Sequence, residues 1–379
     1  MATVVRSDTD PAVRPRPTPA RRSGVVRRVL AAAVVLVLLL GTPLYFVDST
    51  LATLAYCAVF ALGALGLTIL TGYAGQLSIA QPFFIGVGAY LSAYLGVESG
   101  WNVLALTVLV VVAGGVLGAL AGLVAVRLSG IELAIVSIAL IAFGDYLFNQ
   151  WKSVTGGENG RSAAFSLEIG GLDLAALPGM TRSQSLFVVC WTAVLLVALV
   201  ARAIRRQRAG RAMMAIREHE RAAEVIGIDV RAYKIGAFAL ASAIGALAGL
   251  LYAALQQYIT PLDFDLNTAV LFLAIVVVGG VDRPLGAVLG ALLVYGAVQW
   301  VSSHVDSWPF DALLSSFQGD AGLMPIGSFL TFFTGLLLIV VLLWEPQGLV
   351  GLGARAKRRI ASWDVAARLR RDHRDEETS

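Results

Sequence analysis

Asn102-Val-Leu-Ala-Leu-Thr-Val-Leu-Val-Val-Val-Ala-Gly-Gly-Val-Leu-Gly-Ala-Leu-Ala-Gly-Leu-Val-Ala-Val126 runs for 25 residues without a charge. A helix needs roughly 20 apolar residues to cross the hydrocarbon of a bilayer, so this stretch is long enough to span one. Several other stretches reach the same length. The composition agrees: 58% of the 379 residues are hydrophobic, 14% are charged and the mean hydropathy is +0.78. A soluble globule is about half apolar and about a quarter charged. The apolar excess must be covered by lipid, and the expected fold is an all-α polytopic membrane helical bundle.

Working outward from 102–126, helices are predicted near 26–47, 50–71, 82–97, 131–149, 185–204, 234–257, 266–281, 285–304 and 327–344, about ten spans in all. The transmembrane domain is expected over 25–350, with loops at 205–232 and 150–184 and a charged tail at 351–379. Residues 1–24 are rich in Pro, Arg, Ser and Thr and read as a disordered basic tail. Their length and the long apolar run after them do not resemble a signal peptide.

Charge gives the expected orientation. Of the 29 Lys and Arg, 7 lie in 1–28, 9 in 202–234 and 8 in 355–374. Clustered basic loops are held in the cytoplasm. Ten spans put both termini and the 202–234 loop on that side, and 150–184, with Glu158, Glu168 and Asp173, on the other. The same clustering argues against nucleic acid as a partner. Cys57 and Cys190 lie in apolar runs with no CxxC or Cys/His neighbour, so they read as small buried apolar residues.

Spans 82–97 and 266–281 are short for a full crossing. Each adjoins a Gly- and Pro-containing stretch: Gly72-Tyr-Ala-Gly-Gln-Leu-Ser78 with Pro82, and Gly279-Gly-Val-Asp-Arg-Pro284. Paired broken segments suggest an internal repeat, with one half near 50–149 and the other near 233–344. Small residues recur every fourth position in Gly114, Gly118 and Gly122, in Ala241, Gly245 and Gly249, and in Gly286 and Gly290. Such rows let helix backbones approach closely, within a bundle or at a subunit interface.

Between two spans lies Arg211-Ala-Met-Met-Ala-Ile-Arg-Glu-His-Glu-Arg-Ala-Ala-Glu-Val-Ile-Gly-Ile-Asp229. Ala, Met, Glu and Arg favour a helix throughout, and Gly227 is placed to end it. The helical repeat puts Met213, Ile216, Glu220 and Ala223 on one face. Such a helix either docks in a partner's groove or serves as a solvated connector.

That segment resembles the cytoplasmic coupling loop of ABC importer permeases, in the form found in LivM-type branched-chain amino-acid permeases. The matching residues are Ala215, Ile216, Arg217, Glu218, Glu220, Ala222, Ala223, Glu224, Gly227 and Ile228. Further pieces resemble the same family in order: residues 72–78 with 83–90, Leu133 to Ser137, Thr155 to Gly160, Val278 to Gly290, and Pro346 to Leu349. Together they cover about residues 50–350. Gln81 and Pro82 stand where the family usually has His and Ala, Glu158 replaces Pro, and Ala142 replaces a frequent Glu that Asp145 is placed to substitute one turn later. The resemblance implies a subunit that works with a second permease, two cytoplasmic ATPases and an extracytoplasmic substrate-binding protein. Leucine-like amino acids lead as cargo, with urea, short amides or aromatic acids as alternatives.

The chain itself has no GxxxxGK[ST] loop, and its three lysines, Lys152, Lys234 and Lys357, stand in no such context. It is therefore not expected to bind ATP that way, and no cofactor or metal is expected. His219, His304 and His373 are far apart, and no HExxH or GxSxG motif suggests an enzyme. Candidate translocation-path residues are Glu132 and Asp145, as ionisable groups at opposite ends of one span, and Gln76, Ser78 and Gln81 at the first break. Interface exposure for the first two, and capping of the break for the other three, are the competing readings. Thr155, Asn159 and Gly160 are candidate contacts for the binding protein, with a tight turn as the alternative. An ion-driven secondary transporter would need coupled intramembrane charges, which are scarce here.

Overall fold

The computed structural model describes residues 41–43, 45–98, 101–128, 130–303, 314–315 and 324–344. Residues up to Tyr45 separate as a unit of their own, in which 41–43 are helical. The predicted span 26–47 falls almost wholly outside the described residues, as do both expected tails and the motif at 346–349. The second unit, from Phe46 onward, holds the helical bundle.

The other nine predicted spans all coincide with described helices. Helix α1, Asp48–Leu67, continues into a π-helical turn at Thr68–Tyr73. Then come α2, Gln81–Glu98, α3, Val103–Ala125, and α4, Ile131–Gln150. Helix α5 spans Arg182–Arg206, and two short helices come next, α6 at Arg208–Glu218 and α7 at Glu220–Val225. The bundle closes with α8, Val230–Gln256, α9, Leu266–Gly279, α10, Pro284–Ser303, and α11, Ile326–Trp344. Among the described residues, strands are two residues long and pair only as β1 (Arg161–Ser162) with β4 (Tyr258–Ile259), β2 (Glu168–Ile169) with β3 (Leu172–Asp173), and β5 (Leu314–Ser315) with β6 (Met324–Pro325). Among the described residues seven helices are long and apolar enough to cross a membrane; α2 is not one of them.

Polar residues fix where helices start. Asn102, Asp229 and Asp265 each accept a backbone N–H from the first turn of α3, α8 and α9. Thr181 and Gln184 form a reciprocal capping box at α5. Each such cap satisfies donors that the helix itself leaves unpaired.

The glycine rows pack the bundle from within. A Cβ on Gly114 would lie 2.4 Å from the Ala246 methyl, and one on Gly118 would lie 2.7 Å from the Phe238 carbonyl. Both neighbours belong to α8, so the uncharged run at 102–126 meets α8 backbone to backbone. A Cβ on Gly249 of α8 would fall 2.0 Å from the Ile85 carbonyl of α2, and one on Gly290 of α10 would fall 2.0 Å from the Ile275 carbonyl of α9. Helix α8 is thereby held between α2 and α3 at the centre. Helix α4 instead leaves Ile131, Ile135, Ile138, Phe143 and Tyr146 exposed.

Contacts sort the helix ends into two groups. One end of the bundle gathers Gly72, Arg205, Arg217 and Asp282. The opposite end joins Thr181 to Asp48 at 2.8 Å, Arg182 to the Ala254 carbonyl at 3.1 Å, and β1 to β4.

Candidate functional site

The sequence predicts one helix over 211–226, and the structure corrects this: the helix breaks at His219, whose φ of −151° is extended. A straight helix would hold Ile216 and Ala223 about 10 Å apart along its axis. The break instead folds both into one apolar cluster with Val230. Met213, Ile216 and Ala223 are buried as the helical spacing suggests, whereas Glu220 is 44% exposed. The Glu220 carboxylate accepts from Lys234 Nζ at 2.6 Å, across the loop into the first turns of α8. The Lys234 side chain is only 6% exposed, so this carboxylate is what compensates its charge.

Gly227 ends α7 as expected. Its φ is +85°, a conformation that costs a side chain about 1–2 kcal/mol. Gly227 N–H donates to the Glu224 carbonyl and Ile228 N–H to the Ala223 carbonyl, both at 3.0 Å. These are the two bonds of a Schellman cap, and Ile228 packs on the cluster beneath. Ala215 is half-buried, and Glu218, Ala222, Glu224 and Gly227 are exposed. Val225 and Ile226 are 87% and 74% exposed at the tip, an apolar pair on a loop outside the long helices.

Arg217 ties this loop to both broken stretches. Its Nη1 donates to the Gly72 carbonyl and to the Asp282 carboxylate. Gly72 lies in the widened turn that ends α1, where Ala74 N–H reaches five residues back to the Ile69 carbonyl at 3.2 Å. Such π turns recur at functional positions. Gly72, Tyr73, Arg217, Glu218 and Asp282 line a cavity of about 280 Å³ between the loop and the bundle.

After Tyr73 the chain turns back into the bundle. Gln76, Ser78 and Gln81 are all buried. Ser78 Oγ lies 3.1 Å from Ser137 Oγ of α4, and Gln81 Nε2 donates to the Ala241 carbonyl of α8 at 3.3 Å. Cβ atoms on Gly66 and Gly245 would each fall within 3 Å of the Gln81 amide, so this side chain fills a slot between α1 and α8. Neither end of the Gln76 amide has a partner among the described residues. Glu132 and Asp145 do not join this group. Both are exposed on α4, and Asp145 accepts from Asn149 Nδ2 at 3.0 Å.

At the opposite end Thr155 is buried. Its hydroxyl lies 2.7 Å from the Phe148 carbonyl and accepts the Gly157 N–H at 3.1 Å, so it holds the turn. Gly156 and Gly160 have φ of +80° and +75°. A Cβ on Gly156 would fall 2.0 Å from the Gly160 carbonyl, so the turn itself demands this glycine. Asn159 is exposed, and its carbonyl accepts from the Tyr258 hydroxyl.

A family model described as branched-chain amino acid transport system / permease component matches residues 49–342. The chain belongs to this family. The matched range takes in α1 to α10 and most of α11, and with them both breaks and the 208–225 helices. Among relatives, the high-affinity branched-chain amino acid transport system permease protein LivM of Escherichia coli K12 is 29% identical, over 88% of this chain and 77% of the relative. The permease protein LivH of the same system is 26% identical, over 81% of this chain and 96% of the relative. The autoinducer 2 import system permease protein LsrC of Shigella flexneri is 26% identical over 47% of this chain and 50% of the relative. No solved structure matches the chain.

Within this family member, the geometry adds residues to which the sequence reading gives no role. Asp282 and Lys234 fix the loop, Ser137 joins the buried polar group, and Val225 with Ile226 form the exposed tip. Ser137 and Asp282 lie within the resembling pieces 133–137 and 278–290, and Val225 with Ile226 show as two adjacent β-branched residues in a loop otherwise rich in charge.

Proposed function

We propose that the chain is the membrane-spanning permease subunit of an ABC importer for branched-chain or related amino acids. A second permease subunit pairs with it, an extracytoplasmic protein delivers the cargo, and two ATPase subunits dock on the cytoplasmic face. Both termini and the 205–232 loop lie on that face, in keeping with the basic residues gathered there. Helices α6 and α7 form the coupling element that receives the ATPase, with Val225 and Ile226 entering its groove. Gln76, Ser78 and Gln81 stand beside the path, and Asn159 and Gly160 lie where the binding protein arrives.

The observation that carries this reading is the double attachment of Arg217. A push on α6 and α7 reaches the breaks after Gly72 and before Pro284 through one guanidinium. Irregular backbone inside a bundle marks where a transport site lies, and alternating access rocks one part of the bundle against the other around it. Family membership and the names of the relatives support the cargo and the assembly.

Gly227 gives the cleaner test of docking. Charge reversal at Glu220 also strips Lys234 of its partner, so Glu220→Arg mixes two effects. A Cβ on Gly227 meets nothing within 4 Å in this chain. Gly227→Ala therefore carries backbone strain alone, whereas Gly227→Trp adds bulk at an exposed position that a docking partner would feel. In a reconstituted complex Gly227→Trp should abolish cargo-stimulated ATP hydrolysis and Gly227→Ala should lower it only modestly. Equal activity of the two variants would remove the docking reading.

A further inference from the structure

A second cavity, of about 600 Å³, opens beside α5 at the same end of the bundle. One wall is a single face of α5. Leu195, Ala198 and Leu199 are followed by Arg202, Arg205 and Arg206 at three- and four-residue spacing. Along roughly 16 Å of helix the lining thus passes from apolar to cationic. The facing wall is the start of α10, where Arg283 stands next to Pro284 and Leu285. The N-terminus of a helix carries partial positive charge, which adds to the four guanidinium groups. Met214 of α6 closes the cavity toward the loop.

None of these four arginines joins an ion pair among the described residues, whose three pairs use Arg161, Arg217 and Lys234. Arg205 is held over the Tyr73 ring at 6.0 Å. A site with four cations, an apolar lane running toward the middle of a spanning helix and a mouth at its end fits one chemistry. It suits a phosphate-bearing anion with a hydrocarbon tail. We propose that this cavity binds an anionic phospholipid, its phosphate among Arg202, Arg206 and Arg283 and an acyl chain along Leu195, Ala198 and Leu199. Basic pockets between spanning helices bind anionic lipid headgroups. A free phosphate would use the arginines and leave the apolar lane empty. The inference needs only that α5 crosses a bilayer, and it stands apart from whether α6 and α7 receive an ATPase.

The test places the full-length chain, with the subunits that co-purify, in phosphatidylcholine nanodiscs carrying a minor fraction of spin-labelled phosphatidylglycerol. The immobilised fraction of label is read by electron paramagnetic resonance. The wild type should hold phosphatidylglycerol in preference to labelled phosphatidylcholine, and Arg202→Gln/Arg206→Gln should weaken that preference roughly tenfold. Arg208→Gln/Arg231→Gln removes the same charge from the same end of the bundle, outside the cavity, and should keep the preference. Leu199→Trp fills the apolar lane, retains every charge and should lose it. Equal loss in the two double variants would reduce the effect to bulk charge and overturn the site. Displacement of the label by inorganic phosphate, with Leu199→Trp without effect, would make it a free-anion site and overturn the lipid. Absence of any preference in the wild type would overturn the proposal outright.

Discussion

Arg217 and Asp282 face each other across a sequence separation of 65 residues, and the same guanidinium nitrogen also reaches the Gly72 carbonyl. The two side chains are 39% and 57% exposed, so their attraction contributes at most about 1 kcal/mol to stability. Their importance lies in geometry, because among the described residues the loop has no other charged tie to the second break. Asp282→Asn and Arg217→Gln should therefore unfold within a few degrees of wild type while transport falls several-fold. The exchanged pair Arg217→Asp/Asp282→Arg should recover part of that loss. Additive losses in the double variant, measured by uptake in proteoliposomes, would mean that the pair does not act as a unit.

Lys234 and Glu220 behave differently because one partner is enclosed. Replacing Glu220 by Gln leaves a nearly buried ammonium without its counter-charge, at a cost of about 2 kcal/mol. Lys234→Met removes that charge and keeps the volume, so it should cost less. Thermal unfolding in detergent should rank Glu220→Gln below Lys234→Met, and the reverse order would show that the ammonium reaches water.

Gly115 and Gly118 are neighbours on α3 with opposite surroundings. A methyl on Gly118 would fall 2.4 Å from Ser242 Oγ and 2.7 Å from the Phe238 carbonyl, whereas on Gly115 the nearest atoms are 3.7 Å away. Gly118→Ala should destabilise by about 1–3 kcal/mol by forcing α3 off α8, and Gly115→Ala should be neutral. The yield and melting temperature of the purified chain check both.

Thr155 holds the turn, and exposed Asn159 is proposed to meet the binding protein. Thr155→Val loses the hydroxyl that accepts from Gly157, so melting should fall by an amount equivalent to about 1–3 kcal/mol. Its affinity for the binding protein, once folded, should be unchanged. Asn159→Ala should leave melting unchanged and weaken that affinity. The opposite pattern would assign the contact to the buried hydroxyl.

The long helices were legible because lipid demands length and apolarity together, as residues 102–126 show. The end of α7 was legible because Gly227 alone in that loop takes a positive φ without strain. The break at His219 was not, since every residue from 211 to 226 is compatible with a helix. It is decided by partners elsewhere in the chain: Lys234 drawing Glu220 over, and Val230 receiving Ile216 and Ala223. The polar break at 74–80 could be read from its Gly, Gln and Ser, but its depth depends on pairing with Ser137 and Ala241, 59 and 160 residues from their partners, which local sequence does not show. Asp145 marks the reverse case, a charge within an apolar run that lies on the outer face of α4.

The widened turn at the end of α1 makes residue count a functional quantity. Removing one residue there would rotate everything beyond it by roughly 100°. The carbonyl that now anchors Arg217 would then face away from the loop, although Arg217 itself is unchanged. A single deletion between Thr68 and Tyr73 should thus break the Arg217–Gly72 contact while the motifs on either side stay intact.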